Sequence, residues 1–423
     1  MQNKMSAETL SQIKEIGTAD IVIGIPSYNN EKTIGHVIKA AEFGLAKYFP
    51  NMKPVLVNSD GGSSDRTREK VKEESGGCTN MDMVMIDNPV APMANIVTMY
   101  SGIPGKGSAV REILEITDSL NAKACMLLDA DLRAVTPEWV EMLLRPILRR
   151  GYDYVCPLYS RHKYDGTITN MIVYPSTRAL YGKRVRQPIG GDFGISGDLV
   201  KKYLSKDVWG TDVARFGIDI WMTTVAISEG AKICQAFLGA KIHDPKDPGS
   251  SLGPMFKQVV GTVFKLMKDY QDVWEKVDSS SPTANYGFIS EVYPEPVKVS
   301  FETLIQKFRS GVEENKDFWK TFLPAENLQA VCDISEAKED VFNFPVELWV
   351  QTVYDFAVSF NNASSDPAKE KVIESMTPLY FGRVASFVME TKDMETYDAE
   401  RVVEAQARVY ESMKPYLREK WKA

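Results

Sequence analysis

The chain has 423 residues, 44% of them hydrophobic and 25% charged, and carries a formal net charge of −7. That length exceeds one typical core, so a large domain plus a second unit is expected, and the composition excludes a disordered or fibrous chain. The acidic balance, with no long Lys/Arg block, excludes a broad nucleic-acid face, and no run of about 18 uncharged apolar residues offers a membrane span.

The first segment, MQNKMSAETLSQIKEIG, is polar and amphipathic and has no apolar signal-peptide centre, so a soluble, cytoplasmic protein is expected. Residues 19–27 (ADIVIGIPS) form a short apolar run read as a strand, residues 30–49 carry helical periodicity, and residues 54–67 (PVLVNSDGGSSDRT) read as a second strand running into a Gly/Ser turn. Ser64 or Asp65 is the expected cap of a charged helix that follows. Residues 81–87 (MDMVMID) are predicted as a third strand, and residues 106–120 as a helix leading into KACMLLDAD. Such alternation implies a mainly parallel sheet with ligands at the carboxyl ends of its strands.

Further along, residues 136–151 read as a helix with Thr136 as its cap and Pro137 at its first position, and residues 152–161 as a strand. Residues 216–230 (FGIDIWMTTVAISEG) read as a helix stopped by Gly230, and residues 232–244 (KICQAFLGAKIHD) as a strand ending at His243. Strand signals vanish beyond about residue 255, where residues 301–323 and 399–421 carry helical spacing. Residues 276–300 and 361–368, rich in Ser, Pro and Asn, are expected as loops. The expected organisation is therefore an α/β domain over residues 1–260 and a helical region over 261–423. The five cysteines, Cys78, Cys125, Cys156, Cys234 and Cys332, form no CxxC pair and fit reduced thiols. The C-terminal aromatics, Trp319, Trp349, Tyr354 and Phe356 among them, fit a core or a dimer face.

Asp129 and Asp131, at the end of a strand, can hold Mg²⁺ or Mn²⁺, hard cations that bridge to a diphosphate. Asp60 offers an acceptor to a base or ribose edge, beside glycines that let a nucleotide approach the backbone. Lys106, between two glycines just before a helix, places an ammonium and amides where a diphosphate could sit, without the full pattern of a P-loop NTPase.

In this order, IPSYNNEKTI, SDGGSSDRT, PGKGSAVRE and LLDADL resemble nucleotide-sugar-dependent glycosyltransferases of the GT-A fold, broadly the family 2 type. With QPIGGDFGIS, FGIDIWMTTVA and KIHD, the resemblance is strongest to the group of glucosyl-3-phosphoglycerate, glucosylglycerate and mannosyl-3-phosphoglycerate synthases, over residues 20–265. It implies a GT-A domain, Rossmann-like with a mainly parallel sheet flanked by helices, followed by the helical region.

The same resemblance implies that Pro26, Tyr28, Glu31 and Asp60 line the nucleoside pocket. Lys106 meets the diphosphate, Asp129 with Ala130, Gly191 and Asp192 lines the donor, and Asp131 and His243 hold Mg²⁺ or Mn²⁺. Asp219, with Lys106 and Asp131, is implied in catalysis. Thr177, Arg178 and Arg186 are the implied acceptor residues, their basic cluster favouring an anion. Asn30 stands where the family usually has Glu, Gly61 where a small hydroxyl residue is common, Asp219 where a glutamate is found, and the acceptor segment is arranged differently.

The implied reaction is metal-dependent hexose transfer, most simply of glucose from UDP- or GDP-glucose, to D-glycerate or 3-phosphoglycerate, making a compatible solute or its precursor. No enzymic nucleophile stands among the motifs, so front-face attack with retention is expected, with Asp219 positioning groups. Two alternatives stay open: an inverting family 2 transferase of polysaccharide or glycolipid synthesis, with Asp192 or Asp219 as base, and a non-catalytic nucleotide-sugar-binding scaffold. A homodimer with no nucleic-acid or membrane partner is expected.

Overall fold

The computed structural model describes residues 5–75, 93–100, 103–242, 253–288 and 292–422. They fall into two compact units, each assembled from separated segments. The first contains residues 1–160, 189–244 and 283–294, and the second residues 161–188, 245–282 and 295–423, so the units do not follow a single cut at residue 260.

The first unit is built on β1 (Ile21–Ser27), β2 (Pro54–Asp60), β3 (Ala94–Met99), β4 (Ala124–Leu127), β5 (Tyr154–Ser160), β7 (Phe193–Ser196), β8 (Ile233–Ala240) and β10 (Ala284–Tyr286). They form one eight-stranded sheet in the order β10-β8-β5-β7-β4-β1-β2-β3. Every pairing is parallel except those of β7, which runs antiparallel to both β4 and β5. Helices α1 (Ala7–Ile16), α2 (Ile34–Tyr48), α3 (Thr67–Ser75), α4 (Lys106–Ser119), α5 (Pro137–Arg150), α7 (Gly197–Leu204) and α8 (Ile218–Ser228) accompany it. The inner strands read as unbroken apolar runs because helices cover both faces: every residue of β2 and β4 is buried. The core joins Ile23, Leu56, Met126 and Val155 of the sheet with Val37 and Leu45 of α2 and Trp139 and Leu143 of α5.

Local chemistry sets the boundaries. Helix α5 begins with Pro137 after Thr136 and ends at Gly151, which adopts φ 64°, as the pattern predicts. Before α3 it is Asp65, not Ser64, that turns the chain: its carboxylate accepts from the Thr67 N–H at 3.0 Å and from the Glu31 N–H at 3.1 Å. Residues 81–87, expected as the third strand, lie outside the described residues; the strand that pairs with β2 is β3. Two short strands break the expectation of none beyond residue 255. β10 extends the main sheet at β8, and β9 (Ser281–Pro282) pairs with β6 (Lys183–Arg184) in the second unit. Strands this short and exposed carry no apolar run to read.

The second unit is helical. A π-helical turn (Thr169–Val173) leads into α6 (Tyr174–Tyr181), and α9 (Gly253–Asp269), α10 (Gln271–Trp274), α11 (Phe301–Trp319), α12 (Ala325–Glu336), α13 (Val346–Asn362), α14 (Asp366–Thr391), α15 (Thr396–Ser412) and α16 (Lys414–Lys422) complete it. Only residues 363–365 separate α13 from α14, a shorter loop than expected, because Ser365 caps α14 by accepting from the Ala368 N–H. Trp319, Trp349, Tyr354 and Phe356 are all buried in this unit's core. No helix among the described residues is long and apolar enough to cross a membrane.

Candidate active site

The parallel strands deliver their carboxyl ends to one edge of the sheet, and β7, running the other way, brings its amino end to the same edge. Leu127, the last residue of β4, pairs with Phe193, the first of β7. This register sets Asp129 beside Asp192: the Asp192 carboxylate accepts the Asp129 N–H at 2.8 Å. Between them passes Gly191, with φ 91°, and a Cβ there would collide with the Asp129 carboxylate.

Two lysines converge on Asp129. Lys106, the first residue of α4, donates to Oδ1 at 2.7 Å and reaches Asp219, in the first turn of α8, at 3.2 Å. Lys241, just past β8, donates to Asp129 Oδ2 at 3.0 Å, to the Gly190 carbonyl at 2.7 Å and to Asp192 at 3.3 Å. The Tyr159 hydroxyl donates to the same Asp192 oxygen, Oδ2, that Lys241 reaches. Three carboxylates and two ammoniums thus share one desolvated cluster with a formal charge of about −1, where charge pairs act far more strongly than at the surface.

Burial works against ionisation of Asp129, but Lys106 and Lys241 together overcome it and hold that carboxyl well below its usual range. Lys106 is likewise opposed by burial yet raised by Asp129 and Asp219. Burial dominates at Asp192, which Lys241 only partly relieves, leaving it at about 6, and burial also raises Asp219. The Oδ1 atom of Asp219 is buried with no hydrogen-bond partner among the described residues.

The loops after β1 and β2 form a second group of expected residues. Asp60 is buried, and its two oxygens accept from the Gly62 and Ser63 N–H groups and from the Ser27 and Ser63 hydroxyls, four bonds at 2.6–3.1 Å. Its acceptor capacity is spent on holding this loop. Glu31 accepts the Arg66 N–H at 3.0 Å, and Asn30 accepts the Tyr28 N–H at 2.8 Å. Pro26 is half-buried and Tyr28 exposed. A Cβ on Gly61 would lie 3.2 Å from the Tyr28 ring and 3.3 Å from the Tyr100 hydroxyl, so the absent side chain leaves a gap between two phenols.

At the start of α4 the free amides expected for a diphosphate are taken. Gly105 N–H donates to the Tyr100 hydroxyl at 2.9 Å and Gly107 N–H to the Arg215 carbonyl at 3.1 Å. Both glycines are required for packing, since a Cβ on either would press into the backbone at Val213–Arg215. What this segment presents is the Lys106 ammonium.

Asp131 is half-buried and makes no hydrogen bond or ion pair with the described residues. His243 lies outside the described residues, but the Ile242 carbonyl before it accepts the Arg133 N–H at 2.9 Å, which ties the chain after β8 to the Asp131 loop. An unpartnered carboxylate here suits a hard divalent cation. Among the described residues no group of three His, Cys, Asp or Glu side chains is arranged to hold a metal ion.

The residues expected for the acceptor lie in the helical unit and are engaged there. Arg178, 2% exposed, pairs with Glu404 at 2.7 Å and Glu411 at 3.1 Å and touches the Tyr174 hydroxyl at 3.3 Å. Arg186 pairs with Glu400 and donates to Asn170 at 2.8 Å, and Thr177 is buried. The basic cluster is therefore a set of internal struts joining α6 and the segment after β6 to α15, with its acids more than 200 residues away in sequence. Lys241 and Tyr159, by contrast, are members of the Asp129 cluster that sequence reasoning missed. The only signal for Lys241 was a lysine two positions before His243.

Comparison with known proteins follows the same residues. Residues 22–202 match the Glycosyl transferase family 2 family. Glucosyl-3-phosphoglycerate synthase of Petrotoga mobilis is 25% identical over 274 residues, which is 62% of this chain and 77% of that protein. Among solved structures, glucosyl-3-phosphoglycerate synthase from Mycobacterium tuberculosis in complex with phosphoglyceric acid is 20% identical, with a TM-score of 0.45, over 61% of this chain and 84% of that one. The same enzyme in complex with Mn²⁺, UDP-glucose and phosphoglyceric acid is 22% identical, with a TM-score of 0.45, over 60% and 84%. The span similar to Glycosyl transferase family 2 runs from β1 into α7 and takes in Lys106, Asp129 and Asp192.

Proposed function

We propose that the protein transfers a hexose, glucose in the simplest case, from a nucleoside diphosphate sugar to glycerate or 3-phosphoglycerate. The reading is carried by one observation: two half-buried ammoniums, Lys106 and Lys241, converge on Asp129 at the carboxyl edge of the sheet. The names of the similar proteins, glucosyl-3-phosphoglycerate synthases, support the choice of sugar and acceptor.

In this reading Lys106 and Lys241 turn from Asp129 toward the donor diphosphate and offset the charge that grows on it as the sugar departs. Asp192 keeps Asp129 in place through its N–H and keeps Lys241 charged. The unpartnered Oδ1 of Asp219 accepts a hydroxyl from the sugar or the acceptor. The Tyr28 ring, beside side-chain-free Gly61, stacks on the nucleoside base. Asp131 and His243 would hold a divalent cation, which would supply Lewis-acid neutralisation of the diphosphate. Retention by front-face attack is the expected course, with Asp219 positioning groups rather than forming a covalent intermediate.

The test is a panel of UDP-, GDP- and ADP-hexoses against glycerate, 3-phosphoglycerate and simple alcohols, with and without Mn²⁺, the product anomer being read by NMR. Metal-dependent transfer to one of the two acids with retention supports the proposal. Inversion, or donor binding without turnover on any acceptor, overturns it in favour of a polysaccharide-type transferase or a scaffold.

A further inference from the structure

Within the helical unit, the end of α11 and the turn after it, α13, the start of α14, and α16 enclose an open cavity of about 450 Å³. That volume lies inside the range of small-molecule sites. None of the family 2 residues lines it.

One wall is aromatic. Phe318 and Phe322 meet edge to face at 5.5 Å, and Phe322 stands edge-on to Phe356 at 4.9 Å. Two ammoniums also line the cavity: Lys371 lies 4.4 Å over the Phe318 ring and Lys420 lies 5.5 Å from the Tyr416 ring. Neither has a carboxylate within ion-pair distance among the described residues. Asp355, 4% exposed, is the one acid in the lining. Its Oδ1 accepts the Tyr416 hydroxyl at 2.7 Å, whereas Oδ2 has only a long contact with Asn327 at 3.4 Å. A buried carboxylate oxygen so weakly satisfied calls for a donor. Two lysines against one acid make the lining net positive, which disfavours a cationic occupant and favours an anion.

We propose that this cavity is a second ligand site, which takes an organic anion with a flat apolar body and one hydrogen-bond donor. The anionic group pairs with Lys371 and Lys420, the body lies against Phe318 and Phe322, and the donor reaches Asp355 Oδ2.

A probe with all three features is 8-anilinonaphthalene-1-sulfonate, which carries a sulfonate, fused rings and a secondary amine. It is titrated by fluorescence into the full-length protein, with and without saturating UDP-glucose. The expected result is one saturable site, unmoved by UDP-glucose and weakened at least tenfold in the K371E/K420E variant. Ala368→Phe, which fills the cavity without touching charge, gives an independent loss of similar size. Circular dichroism and the unfolding midpoint are measured for each, and the lysines are expected to tolerate reversal because they carry no ion pair. No saturable binding, displacement by UDP-glucose, or unchanged affinity in both folded variants overturns the proposal. Hexose transfer is assayed separately, so failure here leaves the donor-site reading standing.

Discussion

At the scale of single residues, the candidate site separates groups that hold the fold from groups that await a ligand. Lys241 does the first: it satisfies two carboxylates and a carbonyl in a desolvated cluster. Lys241→Met removes the ammonium shared by Asp129 and Asp192 and the donor to the Gly190 carbonyl, and is expected to destabilise the protein by about 3 kcal/mol, read by chemical denaturation, while lowering donor affinity. In the proposed function Asp131 does the second. Asp131→Asn removes no hydrogen bond or ion pair with the described residues, so stability is expected to stay within about 0.5 kcal/mol. Metal affinity and metal-stimulated turnover fall by about 10–100-fold, measured by Mn²⁺ titration of activity. A stability loss at Asp131 with activity retained would reverse the assignment. The aspartates and Lys106 were legible in sequence because strand-end acids and a glycine-flanked lysine are local patterns. Lys241 was not, because its partners come from three other segments. The ion pairs of Arg178 were not legible for the same reason, since nothing near it in sequence announces Glu404 and Glu411.

At the scale of elements, apolar runs and caps predicted β1, β2, β4, β5 and β8 and the helices α2, α3, α4, α5 and α8. The four-residue β7 was not predicted, and its antiparallel course is a tertiary fact: only that direction brings Asp192 to the edge where Asp129 sits. In the helical unit, α11 and α14 approach closely because Gly311 faces Pro378 and Gly382 faces Phe308. Gly311→Ala would drive its methyl into the proline ring, so overpacking is expected to cost about 1–3 kcal/mol, seen as a lowered denaturation midpoint with an unchanged slope. Lys414 is a second such joint. Its buried ammonium donates to the Ala179, Leu180 and Val277 carbonyls at 3.0, 3.4 and 2.5 Å, and burial lowers it to about 8.

At the scale of the whole molecule, the discontinuous units matter more than the sequence suggested. A chain cut after residue 260 would keep residues 161–188 but lose the helices that bury Arg178, and would lose edge strand β10. Such a fragment is expected to be poorly soluble or to lack cooperative unfolding, whereas a stable, donor-binding 1–260 fragment would show that the sheet unit stands alone. Stability should also depend on acid through Asp355, which burial pushes up to about 6 from 3.8. Between these values the folded chain holds a proton that the unfolded chain has released. The contribution is therefore full below about pH 4 and is lost as pH rises through 6, amounting to at most roughly 3 kcal/mol. Asp355→Asn should flatten that part of the stability profile.

The stitching of α6 to α15 also imposes an order on biosynthesis. Arg178 leaves the ribosome more than 220 residues ahead of Glu404 and Glu411. At about 5–20 residues per second, that helix waits on the order of 10–50 s for its acids, and over that interval the nascent protein displays an arginine face that maturity conceals.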